Sequence, residues 1–228
     1  MKFFLRSLFV IIVLMIAVQI YLPGMTSAAV EQALYKRYGF QDIEVEVHSL
    51  PAVNILAGKI GQLRINVPEA VFNNMTVSDV EIVLHGLSIN LFKVYRGEID
   101  YSLAQRGELE FEITEQSMND YLSGKPVNGF KEILIELNAD KSIIKSQIVL
   151  LGKDISFDVA GNFAIEDGNM VFIPDNLIIQ EYSVGEVFQD KVKGNLNFQI
   201  ELGDLPYNTR LTGLEVLDDS IRVTGEIG

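Results

Sequence analysis

The chain has 228 residues, 48% of them hydrophobic, with a formal net charge of −13 and no cysteine. That length is enough to bury a core without covalent staples, and the missing cysteine removes disulfides, thiolate chemistry, thiolate metal sites and a lipidated lipobox anchor. The acidic balance without any basic run argues against nucleic acid, which requires clustered Lys and Arg, and it weakens simple electrostatic docking on anionic lipid.

In chain order, Lys2 and Arg6 precede an apolar stretch from Leu8 to Ile20 that only Gln19 interrupts, and Pro23 and Gly24 close it. Residues 1–25 therefore have the layout of a signal peptide or signal anchor. Positive charge ahead of the apolar run holds the N-terminus inside and sends the rest of the chain across the membrane. The expected location is the extracytoplasmic face of the cell membrane, anchored by an N-terminal helix; secretion after cleavage near Thr26, Ser27, Ala28 and Ala29 is the alternative. The stretch from Leu8 to Leu22 is shorter than the roughly 20 residues that span hydrocarbon, but Phe3 to Leu5 lengthen it if Arg6 snorkels.

From Ser27 to Tyr38, Val30, Leu34 and Tyr38, with Ala33 and Tyr35 beside them, share one face of an amphipathic helix that Gly39 ends. The period then changes to two. Ile43, Val45 and Val47 alternate with acidic residues, and strands follow at Leu63, Ile65, Val67; at Val80, Ile82, Leu84; at Leu87, Ile89, Leu91; and at Leu109, Phe111, Ile113. Thr114 and Ser117 start a short helix whose inner face is Met118, Tyr121 and Leu122. Ile133, Ile135 and Leu137 alternate next. Ile143, Ile144 and Ile148 to Leu151 put apolar groups on both faces of one strand. The alternation from Ile155 to Ile165 is long, and Gly161 inside it marks a bulge or sharp bend. Asp167 and Gly168 form a hairpin turn into Met170 to Ile173. Val184, Val187, Phe188 and Val192 fit a third helix, Leu196, Phe198, Ile200 and Leu202 a strand, and Asp218 and Asp219 a last hairpin. With no linker or repeat, the simplest organisation is one β-rich domain over residues 26–228.

Several segments in this order are similar to the LmeA-type phospholipid-binding family. They are Leu50 and Pro51 leading through Leu56, Ala57, Gly58 to Leu63, Arg64, Ile65; Val77 to Val80 ending in Leu84, His85, Gly86, Leu87; and Ile113, Thr114, Glu115 leading to Asn119, Tyr121 and Leu122. Asp167 and Gly168 followed by Phe172 and Pro174, then Leu205 and Pro206 ahead of Leu214, Val216 and Ile221, continue the likeness over roughly residues 28–228. The chain departs from the family pattern at Ala52, where an aromatic residue usually follows the first proline. The resemblance implies an α+β fold, a long, strongly curved antiparallel sheet wrapped around a helix as in tubular lipid-binding domains, with acyl chains in an apolar interior and no catalytic residues.

Extracting a diacyl lipid with about 30 methylenes costs roughly 25 kcal/mol at about 0.8 kcal/mol per CH2. Only a long, continuous apolar surface offsets that, and aliphatic strands supply it. The candidate groove residues are Ile133, Ile135, Leu137, Val159, Phe163 and Phe198, taken as a group, since alternating aliphatics taken singly are usually ordinary core. No enzyme motif competes. His48 and His85 lack metal-ligand spacing, and neither a nucleophile elbow, a P-loop nor a dinucleotide fingerprint is present. Acidic pairs such as Glu108 with Glu110 read as a solvated strand face. The expectation is thus a non-enzymatic phospholipid-binding protein without cofactor or metal, held at the membrane by its N-terminal segment. The alternative is a structural or interaction protein of the cell envelope with a filled core.

Overall fold

The computed structural model describes residues 2–39, 42–98, 100–103, 105–123, 130–150, 153–179, 199–200, 202, 205 and 209–228. The fold is α+β and mostly antiparallel sheet, with a long apolar N-terminal helix and a curled sheet. Contacts divide the chain into two compact units: residues 1–68, 80–109 and 228 form one, and residues 69–79 and 110–227 the other.

In the first unit, α1 (Lys2–Tyr38) is a single helix of 37 residues, about 55 Å long at 1.5 Å per residue. Pro23 lies inside it rather than ending it. Proline removes one N–H from the helix ladder, and one turn on the Thr26 hydroxyl donates to the Leu22 carbonyl at 2.9 Å, a back-bond that tends to bend a helix. Gly39 closes the helix as the sequence suggests, with φ +71° and its N–H on the Tyr35 carbonyl. The buried face differs in part from the expected one. Thr26, Ala29, Val30 and Ala33 are buried, whereas Tyr35 and Tyr38 are exposed. Small residues let the helix approach the sheet closely, and bulky Tyr35 and Tyr38 fall outside that contact.

The helix docks on β1 (Glu44–His48), the first strand in the order β1–β2–β3, where β2 is Lys59–Phe72 and β3 is Met75–Ile89. Its outward N–H groups do not wait for water: Val45 N donates to Glu31 Oε1 at 3.1 Å and Val47 N to Ser27 Oγ at 3.2 Å. The helix thereby covers a sheet edge that would otherwise pair with another chain. β2 and β3 form a hairpin through Asn73 and Asn74, both at positive φ, and run through both units. The sequence pattern suggests two strands between Val80 and Leu91, but β3 is continuous to Ile89. Asp79 and Gly86, at φ +51° and +61°, shift its phase so that Val77, Val80, Leu84 and Leu87 are all buried. Leu91 begins the short helix α2 (Leu91–Tyr95), because the Asn90 side chain accepts the Lys93 N–H at 3.3 Å. β4 (Tyr101–Leu103) pairs with β3.

In the second unit, β5 (Gly107–Thr114), which begins in the first unit, carries the expected buried Phe111 and Ile113, and Phe72 meets Phe111 edge-on at 5.6 Å. The order continues β5–β12–β11, with β11 at Arg210–Val216 and β12 at Ser220–Ile227, joined by the expected hairpin with Asp219 at φ +67°. Helix α3 (Glu115–Ser123) starts where Thr114 and Ser117 predict it, since the Ser117 N–H donates to Thr114 Oγ1 at 3.2 Å. Met118, Tyr121 and Leu122 are its buried face. Thr114→Ala is expected to cost about 1 kcal/mol, the usual worth of a helix cap, in a thermal or urea melt.

Candidate lipid-binding face

Five strands of the second unit form an antiparallel sheet in the order β10–β9–β8–β7–β6. They are β6 (Phe130–Glu136), β7 (Ser142–Leu150), β8 (Lys153–Glu166), β9 (Asn169–Ile179) and β10 (Gln199–Ile200). Directly opposed residues share a face. Ile135 pairs with Ile144, and Ile144 with Val159, so three fully buried aliphatic side chains form one row across three strands. One step along, Ile133, Ser146 and Phe157 form the next row. Beyond them Phe163 opposes Phe172, with ring centroids 5.2 Å apart, and Ile200 opposes Met170.

The opposite face carries ion pairs beside the partly exposed Leu134 and Ile173. Lys145 bonds to Glu136, Lys131 to Asp154 at 2.6 Å, and Lys141 to Asp175 at 3.0 Å. The bond to Glu136 raises the Lys145 pKa and keeps the ammonium charged. With these charges held outside, the sheet presents inward a largely apolar surface that Ser142 and Ser146 interrupt.

Gly161 bends this sheet. The pairing of β8 with β9 slips between Ala160 and Gly161, and a Cβ at Gly161 would lie 2.4 Å from the Ile173 carbonyl oxygen and 2.5 Å from the Phe172 ring. The strand needs glycine because backbone and ring occupy the space of a side chain. The Asp167–Gly168 turn, with φ +50° and +80°, closes the same hairpin.

The edge at β6 is covered by α3. Ile135 N donates to Asn119 Oδ1 at 2.7 Å and Asn119 Nδ2 returns a bond to the Ile135 carbonyl at 3.0 Å, so one amide side chain pairs with the strand as a neighbouring strand would. Leu137 N donates to Glu115 Oε2 at 2.8 Å. These two polar residues of α3 seal the edge while Ile135 and Leu137 point their side chains into the interior.

Of the sequence candidates, Ile135, Val159 and Phe163 are buried on the inward face, Ile133 is half-buried there, and Leu137 is buried just past β6. Phe198, the third-helix residues Val184, Val187, Phe188 and Val192, and Leu196 lie outside the described residues. Sequence reasoning missed Ile144, Phe157 and Phe172, and it missed Ser142 and Ser146. Both serines are buried on the inward face, and neither hydroxyl has a hydrogen-bond partner among the described residues. The signal was the phase of β7: Ser142, Ile144 and Ser146 are spaced by two, and their burial follows from the register with β6 and β8.

Residues 20–226 match the LmeA-like phospholipid-binding family. The chain belongs to that family, and it binds phospholipid. Neither the curated proteins nor the solved structures contain a match to it. The family segment containing Glu115 and Asn119 is the one that seals β6. The Ala52 side chain is fully buried and its N–H donates to Gln19 Oε1 at 2.8 Å.

Proposed function

We propose that this LmeA-family member is tethered at the extracytoplasmic face of a membrane and holds the acyl chains of a phospholipid against the inward face of the β6–β10 sheet. The carrying observation is the buried row Ile135, Ile144 and Val159 on a sheet whose other face carries the ion pairs Lys131–Asp154 and Lys141–Asp175. The two uncommitted serines favour lipid over a filled core. An unsatisfied buried hydroxyl costs about 1–3 kcal/mol, a penalty that a lipid ester or phosphate oxygen relieves and a hydrocarbon core does not. Ile133, Ile135, Leu137, Val159, Phe163 and Phe198 remain the proposed acyl contacts, joined by Ile144 and Phe157.

Anchoring is supported by α1. Among the described residues it is the helix long and apolar enough to cross a membrane, with a window of mean hydropathy 2.4, and Leu8 to Ile16 are exposed. The helix continues without interruption from that segment into the part that clamps β1 through Ser27 and Glu31. Cleavage between Thr26 and Ala29 would cut into the docked face, which favours a retained anchor over secretion. Lys2 and Arg6 ahead of the run favour the outward orientation.

The protein is proposed to bind lipid without transforming it, in a role in envelope lipid handling or lipoglycan assembly. The buried polar residues among the described ones are Thr26, Ser49, Ser142 and Ser146, none of them ionisable near neutral pH. If phospholipid supplied to the protein is recovered with unchanged mass after prolonged incubation, this reading stands; a cleaved or modified product would overturn it.

Ser146→Leu separates the groove from a filled core. If a lipid oxygen meets the Ser146 hydroxyl, the larger apolar side chain displaces lipid, so lipid per protein falls. The delipidated protein meanwhile gains about 2 kcal/mol from added apolar burial and the removed hydroxyl. In a filled core the same change overpacks the interior, costs about 1–3 kcal/mol, and lowers the melting temperature.

A further inference from the structure

The segment from Ser49 to Ala57 (SLPAVNILA) has no charged residue, in a chain of which 21% is charged. It folds as the 3-10 turn Ala52–Ala57, held from beneath by fully buried Ala52 and Ile55. Its other apolar side chains point outward: Leu50 is 86% exposed, Val53 50% and Leu56 62%. Three large apolar side chains on one short turn are thus left half or more exposed.

The turn's attachment indicates what covers them. Gln19, the single polar residue of the apolar run in α1, accepts the Ala52 N–H at 2.8 Å through Oε1 and donates through Nε2 to the Ser49 carbonyl at 3.3 Å. These bonds fix the turn beside the last apolar turn of α1, about 5 Å along the axis before Leu22. A helix that enters a bilayer places this level at the boundary between hydrocarbon and headgroups. They also satisfy the Gln19 amide, which would otherwise be costly at that depth. Leu56 and Phe92, the latter 83% exposed, border one shallow depression of about 440 Å³, which carries the apolar rim onto α2.

From this geometry we infer that Leu50, Val53 and Leu56 form a wedge that enters the outer leaflet of the bilayer that α1 crosses, a second point of membrane insertion. The wedge rests on the reading of α1 as a membrane anchor. It works by apolar burial, so it requires no anionic lipid and suits an acidic protein. With two insertion points the first unit is held in a defined orientation on the membrane instead of swinging on a single helix.

The natural absence of cysteine makes the test direct. Val53→Cys, Leu56→Cys, Leu14→Cys in the anchor and Glu108→Cys as a solvent control are made in the full chain, labelled with an environment-sensitive fluorophore and reconstituted in phosphatidylcholine vesicles with or without brominated acyl chains. The wedge predicts that labels at 53, 56 and 14 shift to the blue and lose most of their emission to brominated lipid, while the label at 108 does neither. Quenching at 14 but not at 53 or 56 overturns the wedge and leaves the anchor intact. If no label is quenched, the anchor reading fails and the wedge with it. A blue shift at 53 and 56 without quenching, together with disulfide cross-linking between chains carrying Leu56→Cys, would mean that a second copy covers the turn, and would also overturn the wedge.

Discussion

Gly161→Ala is expected to destabilise the second unit by about 3 kcal/mol, the upper end of the cost of overpacking a core, and to lower the melting temperature by roughly 6–12 °C at about 2–4 °C per kcal/mol. The cause is local. The added methyl would stand 2.4 Å from the Ile173 carbonyl oxygen and 2.5 Å from the Phe172 ring, and the carbonyl belongs to the backbone of the paired strand. Neither neighbour yields without moving β9 away from β8 or turning Phe172 out of the interior. Moving β9 also removes the slip in register that bends the sheet, so phospholipid retained per protein should fall with the melting temperature. Circular dichroism melts and lipid quantification on the same preparation read both. An unchanged melting temperature would show that β8 and β9 do not approach this closely at the bend.

Asn119→Ala is expected to cost about 3 kcal/mol, because it leaves both the N–H and the carbonyl of Ile135 unpaired at about 1–3 kcal/mol per unsatisfied buried group. The two bonds it removes, at 2.7 and 3.0 Å, pin α3 to the strand that carries Ile133 and Ile135. Native-state hydrogen exchange gives the sharper reading. The Ile135 amide should lose protection while amides of the β11–β12 hairpin keep theirs. Asn119→Asp keeps an acceptor for the Ile135 N–H but sets a carboxylate against its carbonyl, so it should restore amide protection only in part. A freed β6 edge should also make the Ala variant more prone to self-association.

Sequence alone reveals those elements whose signal is local. The alternation at Leu63 to Val67 and Leu109 to Ile113, the cap at Thr114, the turn at Asp167 and Gly168 and the bend at Gly161 each depend on residues within one or two positions, and each is where expected. The features harder to read depend on partners distant in sequence. Gly86 carries β3 past Leu84 without ending it, a phase shift that simple alternation reads as a strand break, and Asn90 is the unread signal that Leu91 starts a helix. Pro23 reads as a stop, yet the helix continues because its later turns dock on β1. Periodicity finds Val30 on the docked face but not Thr26 and Ala29, since tight helix-to-sheet contact selects small residues over apolar ones.

The interior face is legible in the sequence only as a set of aliphatic strands. Ile135 and Val159 are brought together by Ile144 between them, a residue that alternation leaves unassigned because β7 carries isoleucine at both 143 and 144. Ser142 and Ser146 run against the apolar pattern and so escape it, although their buried hydroxyls, without partners among the described residues, are the observation the proposed lipid site draws on. Glu115 and Asn119 belong to the family likeness, and the structure gives them a physical task, closing the β6 edge.

The central claim, that phospholipid lies with its acyl chains against the β6–β10 face, is tested most directly by native mass spectrometry of the full chain, extracted in mild detergent and released in the gas phase. The account predicts discrete phospholipid adducts on the wild-type protein and their marked loss in Ser146→Leu at equal or higher thermal stability. A bare protein mass, unchanged after incubation with phospholipid vesicles, would contradict it and would identify the buried aliphatic rows as the filled core of an envelope interaction protein.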